Sequence, residues 1–139
     1  MEYILFNSNE FMNSPDYFDF IGENNKTGVL KVQVYTANQA YPLEGVNINV
    51  FKEINGNNVL FYSGVTDSSG IVDDIILPTK PGKESIDSPD DIVYTDYLVV
   101  LEYPKANVKR EYVISIYDGL KVIQPVRIPI VNLIEGGQN

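Results

Sequence analysis

Hydrophobic and polar positions alternate with a period of two through most of this chain, beginning at Gly28. In Val29-Leu30-Lys31-Val32-Gln33-Val34-Tyr35, Leu30, Val32 and Val34 fall on one side and Lys31, Gln33 and Tyr35 on the other. That is the signature of a strand with one buried face. Val46, Ile48 and Val50 repeat the alternation against Asn47, Asn49 and Lys52 on a second strand, after a connection through Pro42 and Gly45. An Asn/Gly turn at Ile54-Asn55-Gly56-Asn57-Asn58 leads into a third strand, Val59 to Val65. Ile71 to Leu77 is a fourth. The chain then loses its pattern over Pro78 to Asp91, a loop with three prolines.

Val93 to Tyr103 is the longest apolar run, with Tyr97, Val99 and Leu101 on one side and Leu98 and Val100 on the other. Apolar positions on both faces suit a central strand. Pro104 to Asn107 turns the chain into a sixth strand carrying Tyr112, Ile114 and Ile116, and Asp118-Gly119 turns it again. The last strand, Ile123 to Val131, contains Pro125 and Pro129. Each proline removes a ladder donor, which predicts an edge. Seven short strands with turns at this spacing, and no helical period among them, predict an all-β, seven-stranded antiparallel Greek-key β-sandwich.

The turn Thr66-Asp67-Ser68-Ser69-Gly70 marks this fold. Asp67 can accept from the backbone two residues on, and Gly70 is free to take a positive φ. The expected result is a hairpin between the third and fourth strands. Residues 1–27 stand apart, with five acids and no base before Lys26 and with Phe6, Phe11, Phe18 and Phe20 beside Tyr3 and Tyr17. Ser14-Pro15-Asp16 followed by Tyr17 to Gly22 reads as a short helical turn with a Ser cap, Pro at its first position, an acid in its first turn and Gly at its end. Tyr3 to Phe6 reads as a short strand. Aromatic groups at this density are not expected in a disordered tail; the segment is expected to dock, covering one end of the core, with a dedicated partner-binding arm as the alternative. The expected organisation is an acidic aromatic extension (1–27), a sandwich domain (28–132) and a tail (133–139).

Composition removes many kinds of chemistry. The chain of 139 residues holds no Cys, no His and no Trp. It therefore offers no disulfide framework, no thiolate nucleophile, no imidazole base and neither of the commonest transition-metal ligands. A net charge of −9 repels phosphate backbones and anionic lipid, so nucleic acid and membrane are not the expected partners. No apolar run approaches the roughly 20 residues of a membrane span. The start, Met1 to Phe6, has neither the basic residues nor the long apolar region of a secretory signal, so the expected place of synthesis is the cytoplasm without export.

The order of the motifs carries a resemblance. Gly28 to Val34, then Tyr41-Pro42-Leu43-Glu44-Gly45-Val46-Asn47-Ile48, then Thr66-Asp67-Ser68-Ser69-Gly70 and Leu77-Pro78 resemble the carboxypeptidase regulatory-like family, whose fold is similar to transthyretin. Val93-Tyr94-Thr95-Asp96-Tyr97-Leu98-Val99 and Ile123-Gln124-Pro125-Val126-Arg127-Ile128-Pro129 bring it closer to the amino-terminal, non-catalytic domains of clostridial spore-cortex-lytic and peptidoglycan-binding proteins. The resemblance covers roughly residues 28–131, and departs at Tyr103 to Asn107, where that group often has Gly-Tyr. It implies a transthyretin-like sandwich and an accessory role associated with spore cortex or cell wall, and it brings no catalytic residue.

Other groupings have a structural account. Asp73 and Asp74 with Glu84, Asp87, Asp90 and Asp91 are rich in the oxygens that Ca²⁺ takes, but solvated acids in a loop explain them, and no metal or cofactor is expected. Lys31, Glu102 and Asn132 have the order of a Lys–Asn isopeptide cross-link with an assisting acid, as in adhesin modules with similar sandwiches. Lys31 falls on the polar side of its strand, against that reading. Of the ten tyrosines, Tyr35, Tyr62, Tyr94, Tyr97 and Tyr103 lie in or beside strands and form the candidate surface for a glycan or protein partner. The expected function is a non-catalytic binding or structural accessory domain. The competing expectation is an assembly protein that pairs through a sheet edge.

Overall fold

The computed structural model describes residues 2–37, 40–82 and 93–129. It is all-β apart from two short helices near its start. In chain order the strands are β1 (Ile4–Leu5), β2 (Lys26–Thr36), β3 (Asn47–Ile54), β4 (Asn57–Val65), β5 (Ile71–Thr79), β6 (Thr95–Tyr103), β7 (Val108–Ile116) and β8 (Lys121–Ile128). Helices α1 (Asn9–Met12) and α2 (Pro15–Glu23) lie between β1 and β2. The strands form a five-stranded sheet in the order β1-β4-β3-β6-β7 and a three-stranded sheet in the order β5-β2-β8.

The alternation in the sequence is the alternation in space. Leu30, Val32 and Val34 of β2 are buried, as are Ile48 and Val50 of β3 and Tyr97, Val99 and Leu101 of β6. These residues join Ile75, Leu77, Ile114, Ile116, Val126 and Ile128 in one core between the inner faces. β6 lies between β3 and β7, so its second apolar set also finds neighbours: Val100 clusters with Phe51 and Leu60 on the outer face. The turn Asn55-Gly56 joins β3 to β4 with positive φ at both residues (50° and 83°), the conformation whose twist matches a two-residue hairpin. β8, with Pro125, is an edge.

Two expectations are corrected. The sheets are mixed rather than antiparallel: β8 runs parallel to β2, and β1 runs parallel to β4. Alternation says which face a residue takes but nothing about the direction of the neighbouring strand. After β7 the chain turns through Asp118-Gly119 into the other sheet, where it pairs with the side of β2 that β5 leaves open.

The second correction concerns Asp67 to Gly70, which does not close a hairpin. β4 belongs to the large sheet and β5 to the small one, so this turn is a corner that carries the chain between sheets. Its bonds reach both. The Asp67 carboxylate accepts from the N–H groups of Ser69 (2.9 Å) and Ile71 (3.0 Å). Thr66 Oγ1, which is buried, donates to the Leu43 carbonyl (2.7 Å) and accepts from the Val46 N–H (2.9 Å) at the entry to β3. The Gly70 carbonyl accepts from the Val34 N–H of β2 at 2.7 Å.

The amino-terminal segment closes one end of the sandwich. Ser14 caps α2 by accepting from the Tyr17 N–H (3.3 Å), Pro15 occupies the first helical position, and the helix runs one residue past Gly22. Phe11 and Phe20 are buried. Phe6 stacks on Phe61 of β4 with ring centres 4.3 Å apart, and Phe61 meets Tyr97 edge to face at 5.0 Å. Asp16 accepts from Asn55 Nδ2 (2.7 Å) at the β3–β4 turn, fixing the start of α2.

Gly70 has φ of +72°, and a Cβ there would stand 2.3 Å from the Val34 carbonyl oxygen. Gly70→Val is therefore expected to destabilise by at least about 2 kcal/mol, from left-handed strain and the clash together. Urea denaturation with an unchanged m-value checks it.

Candidate functional site

Where α2 meets the open end of the sandwich, the surface is hollowed. A cavity of about 540 Å³ lies between Phe20, Glu23 and Asn24 of the helix end, Lys52 of β3, and Tyr94 and Thr95 at the entrance to β6. Lys80 and Asp96 also border it. A second hollow of about 550 Å³ also borders α2 and shares Phe20, Glu23 and Lys52 with the first.

The floor is a buried polar network. Asn24 donates through Nδ2 to the Phe20 carbonyl (2.9 Å), and its Oδ1 accepts from the Thr95 hydroxyl. Thr95 Oγ1 accepts in turn from the Lys80 N–H (3.2 Å), and the neighbouring Thr79 hydroxyl, 3.2 Å from it, donates to the Ile116 carbonyl at 2.8 Å. Helix α2 is thereby tied to β5, β6 and β7 through side chains that are themselves satisfied. Among the described residues no buried side-chain polar atom is left without a partner.

Lys52 is the most unusual charge in the site. It shares the phase of Ile48 and Val50 on β3, so it enters from the core side of the strand. Its ammonium donates to the Asp96 carbonyl oxygen (2.8 Å) and stands 5.6 Å from the centre of the Tyr97 ring. Burial holds its pKa below the ordinary lysine value; the Asp96 carboxylate opposes that shift and the neighbouring Lys80 adds to it. Polarity alone puts Lys52 with Asn47 and Asn49 on the polar face. The missed signal is a base in register with core positions.

The five candidate tyrosines do not share a face. Tyr97 and Tyr103 are corrected outright: both are core residues, since odd-numbered positions of β6 face the opposite sheet. The Tyr97 hydroxyl donates to the Pro78 carbonyl, and burial pushes its pKa far above the ordinary tyrosine range. Burial also raises Tyr103. Tyr62 is half-buried against the core. Tyr35 lies on the outer face of the small sheet under the Arg127 guanidinium, 4.9 Å from the ring centre. Tyr94 alone of the five is both exposed, at 43%, and in the hollow, with Tyr117 at 5.9 Å.

The remaining candidates are dispersed. Asp73 pairs with Lys121 at 2.8 Å, and this contact draws the carboxyl below its ordinary value. Among the described residues no group of three or more acids gathers as metal ligands do. Glu84, Asp87, Asp90, Asp91 and Asn132 lie outside the described residues. Lys31 and Glu102 stand on the outer faces of different sheets, so no cross-link triad is assembled around them.

No protein-family model and no curated protein matches the chain. Among solved structures the Bacillus anthracis TIE protein is similar, with 14% identity and a TM-score of 0.48 over 73% of this chain. The chain spans 16% of that protein's length. A likeness of that size carries no functional argument.

Two outcomes are expected from this geometry. Asn24→Ala deprives the Thr95 hydroxyl of its acceptor and should cost about 1–2 kcal/mol in urea denaturation. Tyr97 has a folded-state pKa raised above its unfolded value of 10.0. It therefore contributes stability in full below that value, and the contribution is lost as pH rises above it. Lys52 works in the opposite sense. Tyr97→Phe should lower stability at neutral pH by about 1 kcal/mol, and should make the alkaline decline shallower when unfolding is followed from about pH 9 to 11.

Proposed function

We propose that this chain is a non-catalytic binding module of transthyretin-like, Greek-key type, related to carboxypeptidase regulatory-like domains and acting as an accessory to cell-wall or spore-cortex proteins. The motif order from Gly28 to Pro129 supports the family reading, and the same motifs lie in the two facing sheets. The observation that carries the binding reading is the hollow at the α2 end. There an exposed Tyr94 lines the hollow together with Lys52 and Lys80 and with Glu23 and Asp96. An aromatic face with charges of both signs at its rim suits a glycan that carries a short peptide: the ring stacks on sugar, and the ammonium groups meet carboxylates.

The hollow stands on a rigid base. Lys52 is held over the Tyr97 ring by its bond to the Asp96 carbonyl, and Thr95 is held by Asn24 and the Lys80 N–H. Binding therefore needs little reordering of these groups, which favours affinity from few contacts. No helix among the described residues is long and apolar enough to cross a membrane. A second reading, pairing through a sheet edge, is favoured by β7: nine residues without proline and without a register shift, at the edge of the large sheet. It would show as added amide protection on β7 when a partner binds.

Titration of isotopically labelled protein with soluble peptidoglycan fragments tests the principal reading. Shifts are expected to move at Tyr94, Thr95 and Lys52, and Tyr94→Ala should weaken binding about tenfold, the loss of roughly 1.4 kcal/mol of stacking. Unmoved shifts at these residues would exclude the hollow as a glycan site.

A further inference from the structure

The two outer faces of this sandwich carry opposite charge, and both carry exposed apolar groups. On the small sheet, cross-strand register sets Ile76, Val29 and Lys121 in one row and Lys31 beside Ile123 in the next. Tyr35 with Arg127 lies at the far end. Ile76 is 65% exposed and Ile123 52%. Lys31, Lys121 and Arg127 stand against Asp73 and Asp74 at the β5 margin, so this face is net cationic on a chain of net charge −9.

On the large sheet, register runs an apolar row across every strand: Leu5 beside Leu60, Leu60 beside Phe51, Phe51 beside Leu98, and Leu98 beside Val113. The middle of the row is buried beneath Tyr3, whose ring meets Phe51 edge-on at 5.9 Å. Its ends are open, with Leu5 47% and Val113 70% exposed. Around the row, the same face presents the carboxylates of Glu53, Asp96, Glu102 and Glu111 against the single ammonium of Lys109. This face is anionic.

We propose that copies of the chain associate face to face, the cationic outer face of the small sheet of one copy lying on the anionic outer face of the large sheet of the next. Charge complementarity selects this pairing. Large face on large face opposes carboxylates, small face on small face opposes cations, and only the unlike pairing brings Lys31, Lys121 and Arg127 to the Glu53 and Glu102 side. Ile76 and Ile123 then meet Val113 and Leu98, as the side chains of packed sheets interdigitate. The contact joins two different surfaces, so each added copy leaves one free face of each kind, and growth is by stacking rather than by closing a dimer. One sheet face is a small interface, so the association is weak and depends on concentration. It borders the α2-end hollow at Asp96 but uses neither Tyr94 nor Lys52.

Light scattering on the purified chain tests this. Mean mass should rise above the monomer between about 10 µM and 1 mM, and should fall as salt shortens the reach of the charges from about 10 Å at 0.1 M to 3 Å at 1 M. Two charge-reversed variants, Lys121→Glu/Arg127→Glu and Glu53→Lys/Glu102→Lys, should each remain monomeric across that range while retaining the parent's circular dichroism. Mixed in equal amounts, they restore unlike faces and should assemble again. A monomeric parent at every concentration, variants that assemble as the parent does, or a mixture that stays monomeric would each overturn the proposal.

Discussion

The corner at Thr66 to Gly70 is the constraint on which the two-sheet arrangement depends. A chain leaving β4 has to abandon one sheet, cross the core edge and enter the other with Val72, Ile75 and Leu77 facing inward. The crossing is held at three points: Asp67 accepting from the backbone of its own turn, Thr66 bridging Leu43 and Val46, and the Gly70 carbonyl receiving the Val34 N–H. The last of these needs a backbone close enough to β2 that no side chain fits between. Sheet separation and the direction in which β5 starts both follow from that approach.

A second dependence runs through the aromatic end. Phe61 is reached by Phe6 and Phe20 from the amino-terminal segment and by Tyr97 from β6, so four rings from three parts of the chain share one contact region. Because the helix is anchored there by apolar burial and again by Asn24 through Thr95, its end can frame a hollow without collapsing into it. The same placement explains the behaviour of Lys52. A lysine in phase with the core reaches the gap beside α2, where its stem is partly covered and its ammonium bonds a carbonyl. Structure and candidate chemistry are one arrangement at this end.

Both outer faces also follow from strand chemistry. β6 is apolar on both sides because it is central, and the outward half of that pattern continues through Phe51 and Leu60 to the short strand β1. β2 and β8 keep Lys31, Lys121 and Arg127 outward while burying Leu30, Val32, Val126 and Ile128. The opposite signs of the two faces come from how the sheets divide a strongly acidic composition, which leaves Lys31, Lys121 and Arg127 on the outer face of the smaller sheet.

Much of the fold was legible in the chain because period-two burial is a local property: each strand's inner face, the Asn55-Gly56 turn, the Ser14 cap with Pro15, and the edge position of the Pro125 strand rest on residues within a few positions of one another. Neighbour identity is not local. Whether Asp67 to Gly70 closes a hairpin or turns a corner, whether β8 runs parallel or antiparallel to β2, and whether Tyr97 meets solvent or the core are decided by residues tens of positions away. The hollow was illegible for the same reason, since Asn24, Lys52 and Tyr94 come together only when the helix docks. Sequence alone determined the strands, their buried faces and the absence of Cys and His chemistry, because composition and alternation are properties of the chain itself. The tertiary structure alone decided which strands meet, in which direction, and which charges share a surface, because those depend on the packing of apolar faces that are far apart along the backbone.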